Sequence, residues 1–179
     1  MTSVLLVAAT VPELCGQRGL VCGIGPVEAA AATARELALD PPRAVIHVGV
    51  AGGRSLPLGT LVVGTEALFA DLAAGVPVTS RVEPDAHLLE SVRAALPEAS
   101  ALPIATSAAV GSSGGDATVE AMEGFAVLRA CALAGIPAVE IRAISNEIGE
   151  DDRARWDIDS AIAAISRALP RLRAELDRE

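Results

Sequence analysis

The sequence predicts an α/β fold in which strands and helices alternate and one central sheet is flanked by helices. Three observations lead there. Short, continuous apolar runs at residues 3–9, 44–48 and 138–144 have the length of strands buried on both faces. Ala-rich stretches at 27–39, 120–134 and 157–177 have the length and spacing of helices. Hydrophobic residues make up 51% of the chain but aromatic ones only 2%, so these elements must pack closely on small side chains. At 179 residues the chain fits one domain, residues 1–179, with a full core.

The first apolar run ends at Thr10-Val11-Pro12, which turns the chain and sets Glu13 just past a strand end. An acid there suits the positive end of a helix, which is its ordinary reading. Residues 20–22 form a brief strand, and the glycines of GIGP at 23–26 turn the chain into the helix at 27–39, with Pro26 near its first position. The string GIGPVE is a poor dinucleotide fingerprint, because Glu28 replaces the third glycine and no acid ends the next strand.

The strand at 44–48 leads into Gly49-Val50-Ala51-Gly52-Gly53, read either as a tight turn or as backbone that a ligand approaches closely. His47, inside the strand, reads as a satisfied core histidine. A strand at 60–65, an edge strand at 76–80, an amphipathic helix at 84–96 and a strand at 102–106 follow. Residues 108–118, rich in Gly and Ser, are expected to form a mobile loop, either a connector or a flap over a substrate.

The stretch from 119 to 149 organises the chain. It places Met122-Glu123 at the start of the helix expected over 120–134, turns at Gly135-Ile136-Pro137, and sends the strand at 138–144 to deliver Ser145-Asn146 at its carboxyl end. Open α/β sheets bind small molecules at such strand ends. The final helix, 157–177, has Ile158, Ile162, Ile165 and Leu169 in helical spacing and Pro170 within it.

Twenty-three acidic against 14 basic residues give a net charge of −9 with no basic stripe, which argues against nucleic acid as a partner. Cys15, Cys22 and Cys131 are far apart and form no CxxC, so neither a disulfide scaffold nor a metal site is indicated. The apolar run at the start is too short to span a membrane and lacks a basic leader. The chain is expected to be cytoplasmic, with no membrane partner.

Five motifs in order, AATVPE at 8–13, GIGPVEA at 23–29, VGVAGG at 48–53, EAMEG at 120–124 and RAISN at 142–146, with the tail GEDDRARW at 149–156, resemble the nucleoside phosphorylase/nucleosidase superfamily. Within it they resemble the futalosine hydrolase family of purine nucleosidases, which serves an alternative menaquinone route. The resemblance implies a mixed, twisted sheet that closes partly into a barrel, a small-molecule nucleoside as the partner, no metal or organic cofactor, and a homo-oligomer.

Cleaving an N-glycosidic bond places positive charge on the ribosyl carbon and negative charge on the leaving purine. By resemblance, Glu13 hydrogen-bonds the attacking water and Glu123 accepts from the ribose hydroxyls. Met122 packs on the sugar, and Val50, Ala51 and Gly52 lie beneath the nucleoside, with Ser145 beside Asn146. Adenine-releasing members carry Asp where this chain has Asn146. An amide cannot deliver a proton, but it donates to a 6-oxo group and presents its carbonyl to a protonated N7, a pattern that fits hypoxanthine. Its bland reading is a turn cap before Gly149.

Phosphorolysis needs cationic or hydroxyl groups around the phosphate, and residues 47–50 offer no Arg and no hydroxyl. Phe69, Phe125 and Trp156 are the rings available to stack on a base. Arg153 reads as a surface salt-bridge partner, or as a partner for the benzoate end of futalosine. The expected function is hydrolysis of futalosine to hypoxanthine and dehypoxanthine futalosine. The alternatives are methylthioadenosine/adenosylhomocysteine nucleosidase, a purine nucleoside phosphorylase and, from another class, a non-catalytic purine-binding module.

Overall fold

A computed structural model describes residues 4–72, 74–109 and 117–178. Strands β1 (Val4–Ala8), β2 (Leu20–Val21) and β3 (Ala44–Gly53) alternate with helix α1 (Pro26–Leu39). Strands β4 (Leu61–Phe69) and β5 (Arg81–Val82), helix α2 (Ala86–Ala95), and strands β6 (Ser100–Thr106) and β7 (Val119–Ala121) follow. Helix α3 (Gly124–Ala134), strand β8 (Ala138–Glu147) and helix α4 (Ile158–Leu176) complete the order.

All eight strands form one mixed sheet, ordered β2-β1-β3-β7-β6-β4-β5, with β8 paired to both β3 and β4. Those two pairings close a ring through β3, β7, β6, β4 and β8, the partial barrel expected from the resemblance. Ala51, Val62, Ile104, Val119, Ala121 and Ile144 fill its interior. α1 and α3 cover one side of the sheet, burying Ala29, Leu37, Val127, Leu128 and Cys131 against Val7 and Val45. α2 and α4 cover the other, burying Val92, Ala161, Ile165 and Leu172 against Ile46, Val48 and Ile141. No helix among the described residues is long and apolar enough to cross a membrane.

The structure corrects four expected boundaries. Residues 119–121 are a strand, not the first turn of a helix. Glu120 pairs with both Gly52 of β3 and Ala105 of β6, and this ladder overrides helix propensity, so α3 starts at Gly124. Glycines 49–53 make no turn; β3 runs straight through them, parallel to β8. β8 runs on to Glu147, so Ser145 and Asn146 are part of its carboxyl end rather than following a strand that stops at residue 144. Residues 76–80 form no strand, since Val76 and Val78 have no surface to pack on and are 66% and 46% exposed; the edge strand is the short β5. Within the 108–118 loop, residues 110–116 lie outside the described residues, so the flap expected there lies outside them too.

Candidate active site

A cavity of about 340 Å³ opens at the carboxyl ends of β1, β3 and β8. It gathers all eight residues singled out from the sequence: Glu13, Val50, Ala51, Gly52, Met122, Glu123, Ser145 and Asn146.

Glu13 lies in a single 3-10 turn (Pro12–Leu14) after β1 and is 6% exposed. Its Oε2 accepts from the Thr10 backbone N–H (2.9 Å) and hydroxyl (2.7 Å), so it does brace the start of its own turn. Its Oε1 accepts from the Val50 N–H at 3.0 Å, and a further lone pair remains on that oxygen. The local and the ligand-facing readings are thus served by different oxygens.

Glu123 stands at the N-cap of α3 yet makes no capping bond with its side chain. The Phe125 N–H donates instead to the Thr106 hydroxyl at 2.7 Å, leaving the Glu123 carboxylate free to turn inward. It accepts from the Gly25 N–H (3.1 Å) and from Arg142 Nη2 (3.3 Å). Gly25 has φ +93°, a conformation costly for any side chain, so the GIGP turn serves to aim that N–H.

Asn146 is placed by an irregularity in the β3–β8 register between Ala51 and Gly52, where one β8 residue is passed over. Such bulges re-aim side chains. The Ser145 hydroxyl bonds the Ala51 carbonyl at 3.2 Å and Asn146 Oδ1 at 2.8 Å, while Asn146 Nδ2 donates to the Glu147 carbonyl at 3.0 Å. A carbonyl only accepts, which fixes the orientation of the amide. One amide hydrogen and one Oδ1 lone pair are left for a ligand. At Gly52 a Cβ would stand 3.1 Å from Asn146 Nδ2, so the glycine leaves that nitrogen its room.

Sequence reasoning left the support behind this wall without a role. Arg142 is fully buried in β8. Its Nε donates to Glu140 at 2.7 Å, Nη2 reaches Glu123 and His47 Nε2, and Nη1 reaches the Val50 carbonyl at 3.4 Å. Burial alone would lower its pKa, but Glu140, Glu123 and Glu13 outweigh it and hold the guanidinium charged. Burial pushes the Glu140 carboxyl above the ordinary range, opposed by Arg142. His47 is the satisfied core histidine expected: Nδ1–H donates to the Val7 carbonyl at 3.1 Å and Nε2 accepts from Arg142. Burial, then the Arg142 charge, drives its pKa well below 6.5 and keeps it neutral. The signal was present in VEIRA at 139–143: opposite charges two apart in a strand with no exposed face must meet each other inside.

Phe69 and Phe125 stack on each other, 5.3 Å between centroids, and neither lines the cavity. Trp156 does line it, and Arg153 lies over its ring, 5.7 Å from the centroid. Among the described residues, the surface ion pairs of this segment belong to Arg155, with Glu150 at 3.2 Å and Asp152 at 3.8 Å, and none joins Arg153.

The sequence profile of the phosphorylase superfamily matches residues 16–115 and 108–178. A futalosine hydrolase of Streptomyces coelicolor is 37% identical over 185 residues, covering 88% of this chain and 79% of that protein. The chain belongs to the phosphorylase superfamily, in its futalosine hydrolase family. A family member from Thermus thermophilus is 46% identical over 59 residues, 33% of this chain and 26% of that protein. Among solved structures, a futalosine hydrolase mutant of Helicobacter pylori superposes with a TM-score of 0.87 at 17% identity, over 98% of this chain and 100% of that one. A 5'-methylthioadenosine/S-adenosylhomocysteine nucleosidase from Neisseria meningitidis, in complex with methylthio-immucillin-A, gives 0.85 at 24%, over 96% and 98%. Structures with both names share this fold, so the fold does not choose between futalosine hydrolases and methylthioadenosine nucleosidases. The sequence places the chain in the futalosine hydrolase family.

Proposed function

We propose that this chain hydrolyses the N-glycosidic bond of futalosine, releasing hypoxanthine and dehypoxanthine futalosine, with no metal or organic cofactor. The observation that carries the proposal is the convergence of Glu13, Glu123 and Asn146 on one cavity in a chain of the futalosine hydrolase family. Glu13 Oε1 accepts a proton from a water whose oxygen attacks the ribosyl carbon. The carbon–nitrogen bond breaks, and its electron pair leaves with the purine. Asn146 holds the 6-oxo group with its remaining N–H and faces N7 with its carbonyl. The proton that N7 gains comes from solvent, since an amide has none to give. Glu123 holds the ribose hydroxyls, and Met122, Val50, Ala51 and Gly52 bound the sugar. Two carboxylates beside the ribosyl carbon favour its developing positive charge.

The same carboxylates repel phosphate. The cationic side chain that lines the cavity, Arg153, lies on the segment of Trp156, and Arg142 is already engaged by Glu140 and Glu123. Water is therefore the nucleophile. The test is base release from futalosine, aminofutalosine, inosine and methylthioadenosine, each with and without phosphate. The 6-oxo substrates react without phosphate, and Asn146→Asp shifts the ratio of rates toward the 6-amino substrates. An unchanged ratio contradicts the role given to Asn146, and a need for phosphate contradicts hydrolysis.

The assembly belongs to the same proposal. Ile24 lines the cavity, and Val11 and Val27 lie close in sequence to its lining residues Pro12 and Ile24; exposed by 61%, 70% and 77% in turn, the three suit a self-contact that forms a homo-oligomer. Cytoplasmic placement suits Cys22 and Cys131, which are buried as free thiols.

A further inference from the structure

With the base at Asn146 and the ribose hydroxyls at Glu123, the substituent left to place is the one on the 5' carbon of the ribose. Arg153, Trp156, Ile158 and Ile162, all from the segment after β8, also line the cavity and are given no part in holding the base or the ribose. These residues differ in kind from the acidic lining residues Glu13, Glu120 and Glu123; Arg153 is the one cation among the described lining residues.

The segment is built to hold that cation in place. Trp156 Nε1 donates to the Glu150 carbonyl at 3.0 Å, and the Asp157 N–H donates to the Ser145 carbonyl at 2.7 Å. The indole is thereby tied through its own turn to the strand position next to Asn146. Two of the nearby acids, Glu150 and Asp152, are committed elsewhere. Glu150 accepts from the Asp152 N–H at 3.0 Å and from Arg155 at 3.2 Å, and Asp152 accepts from the Ala154 N–H at 3.0 Å. Arg153 lies over the indole, with its Cζ 5.7 Å from the ring centroid. A guanidinium held over an aromatic face keeps its fork of donors for an anion.

We propose that Arg153 and Trp156 form a subsite for a flat aromatic carboxylate carried on the 5' side of the nucleoside. The indole and the two isoleucines take the arene, and the Arg153 fork takes the carboxylate. An apolar floor under a planar cation fits an aryl carboxylate better than a phosphate ester, which has no arene to place there. The subsite rests on the nucleosidase reading above, and it gives that reading its substrate preference: futalosine carries a benzoate at this end, inosine carries none.

The experiment compares kcat/KM for futalosine, its methyl ester and inosine in the wild type, Arg153→Gln, Arg153→Lys and Trp156→Leu. The wild type prefers the acid to its ester by roughly 10- to 100-fold, the worth of a charge-assisted contact. Arg153→Gln brings that ratio close to one, and Arg153→Lys restores only part of it. Trp156→Leu lowers acid and ester together relative to inosine. An acid-to-ester ratio unmoved by Arg153→Gln, with base still released, overturns the subsite alone. Equal loss on all three substrates overturns it too, marking Arg153 as merely structural. Failure of the wild type to release base from any of them overturns the nucleosidase reading, and the subsite with it.

Discussion

His47 shows how one neutral side chain lets a buried cation work. It makes no contact with the cavity, but its Nε2 takes a hydrogen bond from the guanidinium that also holds Glu123. Protonation would set two cations against each other in a site without solvent. The folded state therefore refuses a proton that the unfolded chain accepts below 6.5, the ordinary histidine value. Its folded pKa is depressed, so the associated stability is complete above about pH 6.5 and is lost as pH falls below it, by up to ~1.4 kcal/mol per pH unit. Urea denaturation at about pH 7 and pH 5.5 measures this: the wild type loses on the order of 1 kcal/mol more than His47→Gln, which cannot charge. Equal pH slopes in the two proteins would contradict the neutral, Arg-bonded histidine.

At the scale of elements, the wall is made by two strands and a helix start that leave space for charges. Gly49 in β3 and Gly124 at the start of α3 are not turn glycines. A Cβ at Gly49 would meet the Arg142 guanidinium, and one at Gly124 would meet the Glu140 carboxylate. Glu140 cannot swing aside, because it is fully buried and bonded to Arg142 at 2.7 Å. Gly124→Ala should therefore cost about 1–3 kcal/mol of stability, as overpacking does, and reduce turnover by displacing Arg142 from Glu123. Gly75→Ala, which meets nothing within 4 Å, serves as the control and leaves both unchanged. If Gly124→Ala matches that control in denaturation midpoint and turnover, the glycine has another reason to be there.

For the whole molecule, the alternation of elements was legible in the sequence for a physical reason, whereas the candidate site residues, which line one cavity, were read from motifs that resemble a known family. Strands buried on both faces read as unbroken apolar runs, and polar residues at their ends have few structural tasks to compete with. What stayed hidden depended on pairing between distant segments. Nothing local says that residues 119–121 would join a ladder between β3 and β6, or that the glycines after His47 would continue a strand to make room for Arg142. The Glu140–Arg142 alternation carried a local signal, but its further partner, Glu123, could be named only once α3 and β8 were packed together. Trp156 was ambiguous for the same reason, since only the fold shows that its turn is bonded back to Ser145.

In the proposed reading, Glu13 makes this cavity a hydrolytic one rather than a binding pocket. The most direct measurement is hypoxanthine release from futalosine in phosphate-free buffer by the wild type and by Glu13→Gln, with hypoxanthine binding measured on both. The wild type releases one hypoxanthine for each futalosine consumed. Glu13→Gln loses about 100-fold or more in kcat and binds hypoxanthine nearly as well. A wild type that binds the base but releases none from futalosine, or a Glu13→Gln variant that turns over at the wild-type rate, would contradict it.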